Sequence, residues 1–121
     1  MKHRKKGRKF SRVKNQRKAL FGGLLGNLIL KEKIETTEAK AKEIKNLIDQ
    51  VINKAKKANK ESVQKAAILR DLRSFLPLQV VKKMNGIFLE KFEKRNSGYV
   101  RIVKLAKRKS DAARMAIIEF V

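Results

Sequence analysis

Ten lysines and arginines lie within the first eighteen residues, and no carboxylate precedes Glu32. These cations are Lys2, Arg4, Lys5, Lys6, Arg8, Lys9, Arg12, Lys14, Arg17 and Lys18. Like charges at this density repel one another, so the segment needs an external counter-charge to become compact, and phosphate supplies one. The formal net charge of +22 on 121 residues also favours nucleic acid or an anionic surface as partner. The alternative is a solvated tail without a specific role.

Residue types that perform catalysis or hold metals are sparse. Cysteine is absent, and the single histidine, His3, lies among cations with no carboxylate in the first thirty residues. A thiol nucleophile, a disulfide and a cysteine–histidine zinc site are therefore excluded, and His3 has no local partner for acid–base catalysis. The eleven acidic residues are mostly interleaved with lysine and arginine, which is typical of solvated helix faces. We expect no enzyme, cofactor, metal ion or small-molecule substrate.

The longest apolar stretch, residues 19–30, is too short to cross a membrane. Its twelve residues include Gly22, Gly23 and Gly26, whereas a bilayer span needs about 20 apolar residues. No small-residue cleavage site follows it, so a secretory signal is not expected. The lack of cysteine fits a reducing compartment. The prediction is a cytoplasmic protein without a membrane partner.

Charge and periodicity divide the chain in two. Residues 1–18 form a basic arm that leads into the first helix, and residues 19–121 form a single domain. Apolar residues at helical spacing predict four helices, with Thr37 as the cap of the second and Pro77 separating the last two. The predicted helices run over about 13–30, 38–58, 61–75 and 78–92.

Alternation of apolar and polar residues predicts three strands. The first is the segment KIETT, residues 33–37, and the others lie at about 99–105 and 115–120. The last two are joined by residues 107–113, which makes them a hairpin. The fold class is therefore α+β, a two-layer domain with about four helices packed on a small, three-stranded, mostly antiparallel sheet.

An extended basic arm favours RNA as the polyanion, because it can enter the narrow grooves of compact RNA where a rigid domain cannot follow. Phe10 in this arm either stacks on an unpaired base or packs against the first helix. Tyr99 and Arg101 are further candidates for RNA contact, with a half-buried strand residue as the alternative for the tyrosine.

Four segments carry a family resemblance, and they occur in order from one end of the chain to the other. The segments are HRKKGRKF followed by Arg12, EKIETTEAKAKE at 32–43, RNSGYVRIVKL at 95–105 and SDAARMAIIEFV at 110–121. Together they make the chain similar to the family of the bacterial large-subunit ribosomal protein numbered seventeen. This chain departs from the usual pattern at Gln16, Gly22, Gly23 and Arg114.

The resemblance implies a structural role in the large ribosomal subunit. The chain would bind large-subunit ribosomal RNA beside neighbouring ribosomal proteins, near the exit of the peptide tunnel, in the cytoplasm. The implied RNA contacts are the arm from Lys2 to Lys18, the strand-to-helix junction with Thr36, Thr37, Lys40 and Lys42, and a second surface with Tyr99, Arg101 and Arg108. The helix N-terminus at the junction suits phosphate, although Thr37 can equally be an ordinary cap.

Three other functions remain open at this stage. An architectural DNA-binding protein would share the charge, although no helix-turn-helix spacing is present. A membrane-active basic helix would need basic and apolar residues on one helix, whereas here they follow each other along the chain. A nucleic-acid enzyme would need acidic metal ligands, for which Asp111 and Glu119 are candidates.

Overall fold

The computed structural model describes residues 10, 13–60, 63, 65–74, 76–84 and 87–121. Within them the elements are α1 (Lys14–Lys31), β1 (Lys33–Thr37), α2 (Glu38–Lys60), α3 (Lys65–Arg73), α4 (Leu78–Met84), a 3-10 helix η1 (Ile87–Phe92), β2 (Val100–Lys104) and β3 (Met115–Phe120). The predicted α+β fold with four α-helices and a three-stranded sheet is confirmed for this part of the chain. The predicted domain boundary at residue 18 stays a prediction, and α1 runs across it.

The sheet has the strand order β1-β3-β2, and both neighbouring pairs are antiparallel. The predicted hairpin is therefore confirmed, with β3 at the centre. Ile34 of β1 lies opposite Ile118 of β3, which lies opposite Ile102 of β2, so alternation places these three residues on one face. Ile118 is fully buried, and the other two pack against the core. This is the inner face of the sheet.

The long helix α2 covers that inner face. Its buried side chains recur every three or four residues and form one stripe, as the sequence predicted. They are Ala41, Ile44, Ile48, Val51, Ile52, Ala55 and Ala58. The same helix contacts all three strands, α1, α3 and η1, so it touches nearly every other element described. The core is the layer between α2 and the sheet, extended sideways by α1 and α4.

The predicted fourth helix, over about 78–92, is wrong in its length. The α-helix ends at Met84, and a separate 3-10 helix spans Ile87–Phe92. The intervening sequence is Asn-Gly, a dipeptide that favours turns over helix. The apolar spacing continues on both sides of this dipeptide, and the prediction followed the spacing and ignored the dipeptide. The third helix is also shorter than predicted, at Lys65–Arg73.

Two side chains of α2 hold the segment that leads into β2. The carboxylate of Asp49 accepts hydrogen bonds from the backbone N–H groups of Gly98 and Tyr99, both at 3.3 Å. Two turns further along, the ammonium of Lys56 donates to the Arg95 carbonyl at 2.5 Å. Positions 49 and 56 are seven residues apart and so lie on one side of the helix. These bonds fix the entry of β2 relative to α2.

Glu32 joins the end of α1 to α4 and η1. It takes the left-handed conformation of a helix C-cap, with φ of 63°, and its N–H donates to the Leu28 carbonyl at 2.6 Å. Its carboxylate lies 2.5 Å from the Lys91 ammonium and 3.5 Å from that of Lys83. The hydrogen bond from Lys91 is the main reason that the pKa of Glu32 lies below its ordinary value.

Gly26 marks the close approach of α1 and α4. A Cβ at this position would lie 3.3 Å from the Val80 Cγ2 and 3.5 Å from the Pro77 Cδ. At Gly23, one turn earlier, a Cβ would meet nothing within 4 Å. The two glycines therefore stand in one helix with opposite surroundings.

Gly23→Ala should raise the free energy of unfolding by about 1 kcal/mol, because alanine is the better helix former and the site has room. Gly26→Ala should raise the free energy of unfolding by less than Gly23→Ala does, or should lower it, because Val80 must move to admit the methyl group. Urea denaturation of both variants measures the difference. Equal stabilisation by the two substitutions would contradict the close packing of α1 on α4.

Glu32→Gln should lower the free energy of unfolding at neutral pH by about 0.5 kcal/mol, a modest effect because the ion pairs are partly exposed. A carboxylate whose pKa is depressed by folding stabilises above its unfolded pKa, and the contribution is lost as the pH falls through the folded pKa. The difference from the parent protein should therefore disappear in acid. Urea denaturation at several pH values tests this.

The matched control for Glu32→Gln is Glu90→Gln. Glu90 is exposed and forms no ion pair with the part of the chain that the structure describes. It reports the general effect of removing one negative charge from a chain with net charge +22. An equal loss in both variants at neutral pH would show that the pairs with Lys83 and Lys91 contribute nothing specific.

Candidate nucleic-acid interface

Part of the predicted arm lies outside the described residues. This holds for the candidate contacts Lys2, His3, Arg4, Lys5, Lys6, Arg8, Lys9 and Arg12. The remaining candidates of the arm, Lys14, Arg17 and Lys18, lie in the first two turns of α1. Folding therefore turns the last part of the basic run into a helix that is continuous with the apolar residues behind it.

The N-terminal half of α1 concentrates positive charge. Its first turn contains no acidic residue, and its N-cap, Val13, offers no side-chain hydrogen bond. Lys14 and Lys18 are exposed and form no ion pair with a described carboxylate. The helix dipole adds further positive potential at this end, where acidic side chains are the stabilising choice. Cations placed here oppose helix stability and attract an external anion such as phosphate.

A groove of about 550 Å³ separates this half of α1 from the middle of α2. It is lined on one side by Lys14, Asn15, Arg17, Lys18, Phe21, Gly22 and Leu25, and on the other by Leu47, Gln50, Val51 and Lys54. The floor is apolar and the rim is basic. Sequence reasoning missed the second wall, because its residues lie about thirty positions downstream. The one available signal was the edge of the α2 stripe, where Leu47 continues the apolar pattern.

Phe10 packs against α1. Its ring lies 5.8 Å from that of Phe21, with an angle of 79° between the planes, which is an edge-to-face contact. Of the two predicted roles for Phe10, the structure therefore shows packing on the first helix. The contact also holds this part of the arm beside the groove.

The strand-to-helix junction already contains a negative charge, the carboxylate of Glu38. The Thr37 hydroxyl accepts the Lys40 N–H at 3.4 Å, as an N-cap does. The Glu38 carboxylate sits in the first turn of α2, 2.9 Å from the Lys42 ammonium, and this hydrogen bond is the main cause of the lowered pKa of Glu38. Thr36, the fourth candidate, is half-buried in β1. A phosphate at this helix end would have to share Lys42 with Glu38.

The junction meets the β2–β3 loop, which is distant in sequence. The Glu38 N–H donates to the Arg114 carbonyl at 2.8 Å, and the Lys104 ammonium lies 3.6 Å from the Glu38 carboxylate. A shallow cavity of about 310 Å³ lies between the junction and Arg114. Three cations, Lys42, Lys104 and Arg114, thus surround one carboxylate. The β2–β3 loop, which carries Arg108 of the second predicted surface, therefore lies next to the junction.

Arg101 and Arg108 are exposed but both pair with a carboxylate. The Arg101 Nε lies 3.4 Å from Glu119 on the outer face of the sheet. Arg108 donates twice to Asp111, at 3.0 and 2.7 Å, which lowers the pKa of Asp111 to about 2 and raises that of Arg108. Asp111 also accepts the Ala113 N–H at 3.1 Å. Arg108 therefore braces the loop while its side chain stays open to an external partner.

Tyr99, one of the candidates for RNA contact, lies in the core of the domain. Its relative exposure is 0%, and its ring packs edge-to-face on Phe92 at 5.4 Å. The hydroxyl lies 2.5 Å from the Asn53 Oδ1 and accepts from the Lys56 ammonium at 3.2 Å. Alternation predicted a strand from about Tyr99, whereas β2 begins one residue later, at Val100, and the pattern could not give the depth of Tyr99.

The described residues offer neither a metal site nor a membrane span. No group of three histidine, cysteine, aspartate or glutamate side chains there could hold a metal ion. The acidic candidates for a metal-dependent enzyme, Asp111 and Glu119, pair instead with Arg108 and Arg101. Separately, no helix in the described part has the length and apolar character that crossing a membrane requires.

Comparison with known proteins gives one consistent result. The family model described as ribosomal protein L17 matches residues 20–121. The large ribosomal subunit protein bL17 of Thermodesulfovibrio yellowstonii is 46% identical, with 100% of this chain and 87% of the relative covered. That of Hydrogenobaculum sp. is 43% identical, with 100% and 99% covered. The alignments with both relatives therefore extend through the basic arm, which the family model leaves out.

Proposed function

The chain belongs to the ribosomal protein L17 family, and we propose that it is a structural constituent of the large ribosomal subunit that binds large-subunit ribosomal RNA. It works in the cytoplasm within the ribosome, near the exit of the peptide tunnel and beside other large-subunit proteins. The role involves binding and positioning of RNA helices, without catalytic turnover.

The observation that carries this proposal is the positive charge of Lys14 and Lys18 at the start of α1, which form no ion pair with a described carboxylate. Lys14 and Lys18 stand at the positive end of the helix dipole without an acidic neighbour in the first turn. Self-repulsion makes this arrangement costly in the free protein, and phosphate neutralisation removes that cost. The residues before α1 continue the same charge without a single carboxylate.

Binding has two parts in this proposal. The arm up to Lys18 enters the RNA and neutralises phosphates, since an extended cationic segment fits where a folded domain does not. The surface formed by the junction and the β2–β3 loop then docks on a neighbouring stretch of RNA backbone. Its contacts are Lys40, Lys42, Lys104, Arg108 and Arg114, and Arg101 offers a further contact on the outer face of the sheet, beside Glu119. Together the two parts pin RNA segments in a fixed arrangement during and after subunit assembly.

A tagged copy of the full chain should co-sediment with large subunits in a sucrose gradient and remain there after a moderate salt wash. A copy lacking residues 1–12 should be released by the wash, because it has lost most cations of the arm. A full-length copy found with free protein, with membranes or with DNA would overturn the proposed function and favour the corresponding alternative.

Removal of residues 1–12 should also flatten the salt dependence of RNA binding. If about six phosphate contacts are lost, the slope of log K against log salt concentration should fall by roughly 4 to 5 units. Titration of a large-subunit RNA fragment at several salt concentrations measures it, with duplex DNA of equal length as the control ligand. An unchanged slope would mean that the folded domain, and not the arm, makes the phosphate contacts.

A further inference from the structure

We propose that the groove between α1 and α2 binds one unpaired nucleotide of an RNA strand. The base lies on the apolar floor, and the phosphates on either side of it lie at the basic rim. The inference rests on the proposed function, since it requires that the chain binds RNA, and it adds a site that selects an extruded base. Such bases are the usual targets of side chains that recognise RNA.

The groove has the size and the floor of a ligand site. Its volume of about 550 Å³ lies within the range of about 300–1,000 Å³ that small-ligand pockets occupy. Leu25 and Val51, with 2% and 3% exposure, close the bottom, and the half-buried Phe21 and Leu47 form its accessible part. A phosphate backbone gains nothing from such a surface, whereas the flat face of a base does.

Phe21 offers the stacking surface. In this edge-to-face contact, the Phe21 ring meets Phe10 either with its edge or with one of its two faces. At least one face is therefore left uncovered by Phe10. Unpaired bases stack on aromatic rings of this kind with little dependence on sequence.

The rim supplies the contacts for the rest of the nucleotide. Lys14 and Lys18 are exposed on the α1 side, and Lys54 stands on the α2 side, 2.7 Å from Asp71. The amides of Asn15 and Gln50 lie on opposite walls, and each offers both donors and an acceptor for the edge of a base. Charge and hydrogen-bonding groups thus surround the apolar floor.

Charge also decides between occupants of the groove. The arm carries seven lysines and arginines in residues 1–12 and would bring like charge to a rim that is already basic. An acidic peptide would match the rim but lacks the flat, rigid units that fit beside an aromatic ring. A single-stranded nucleic acid, whose bases are flat and apolar on their faces, satisfies both conditions, and the proposed function makes this nucleic acid RNA.

The test compares three RNA hairpins that differ at one position: a single-nucleotide bulge, the same bulge without its base, and a fully paired stem. Fluorescence anisotropy with the full-length chain should show at least about fivefold tighter binding of the bulge than of the abasic bulge, as stacking of one base provides. Phe21→Leu should bring this ratio close to one and leave binding of the paired stem within about twofold.

The matched control is Phe120→Leu, which removes an aromatic ring of similar burial from the sheet. Phe120 packs on Phe88 and Phe92, away from the groove, so this variant should keep the preference for the bulge. A preference that survives Phe21→Leu would overturn the assignment. A ratio near one in the parent chain, with tight binding of the paired stem, would overturn the inference and leave the proposed function standing. If the parent chain bound none of the three RNAs, the proposed function itself would be overturned.

Occupancy can be read directly, because the chain contains no cysteine. In Gln50→Cys, the single thiol should be protected from alkylation by the bulged RNA and not by its abasic counterpart. Protection in the free protein that is lost on removal of residues 1–12 would assign the groove to the arm and overturn the inference.

Discussion

Packing of α2 against the sheet is the interaction on which the rest of the structure depends. Every strand contacts this helix, and its buried stripe forms the centre of the core. On a chain with net charge +22, apolar burial must outweigh the repulsion among surface cations, and burial is not weakened by that repulsion. The polar side of the same helix carries side chains that hold the start of β2 and side chains that line the groove. Asp49 and Lys56 fix the entry of β2, and Gln50 and Lys54 form one wall of the groove.

The carboxylates of the domain are used to hold its parts together. Glu32 links the end of α1 to α4 and η1, Glu38 links α2 to the sheet, and Asp111 closes the hairpin loop with Arg108. Each of these pairs lies away from the first half of α1. This distribution partly neutralises the folded domain and leaves Lys14 and Lys18, at the start of α1, without an ion pair to a described carboxylate. In the proposed function, an RNA ligand would therefore meet the cations Lys14 and Lys18 where the chain enters its first helix.

The sequence predicted what local patterns determine. The apolar period of α1 and α2 and the alternation in KIETT and in the final strand each lie within a short window. Features that depend on contacts between distant segments were missed. Gln50 and Lys54 look like ordinary surface residues until α1 lies beside them, and the burial of Tyr99 follows from its partners Phe92 and Asn53. The 3-10 helix at Ile87–Phe92 is the reverse case: periodicity predicted a continued α-helix there, although the local turn signal Asn-Gly precedes the segment.

The architecture of α1 connects the arm to the domain. Leu25, Leu28 and Ile29 bury its C-terminal half, and Gly26 brings it close to Pro77 and Val80. Its 18 residues extend about 27 Å, and its first turns carry cations that are continuous with the arm. A helix anchored in this way transmits the position of a phosphate at its start to the whole domain, whereas a flexible link would lose it. In the proposed mode of binding, a phosphate held at the start of α1 would also fix the orientation of the β2–β3 loop, because α1 and the sheet belong to one packed domain.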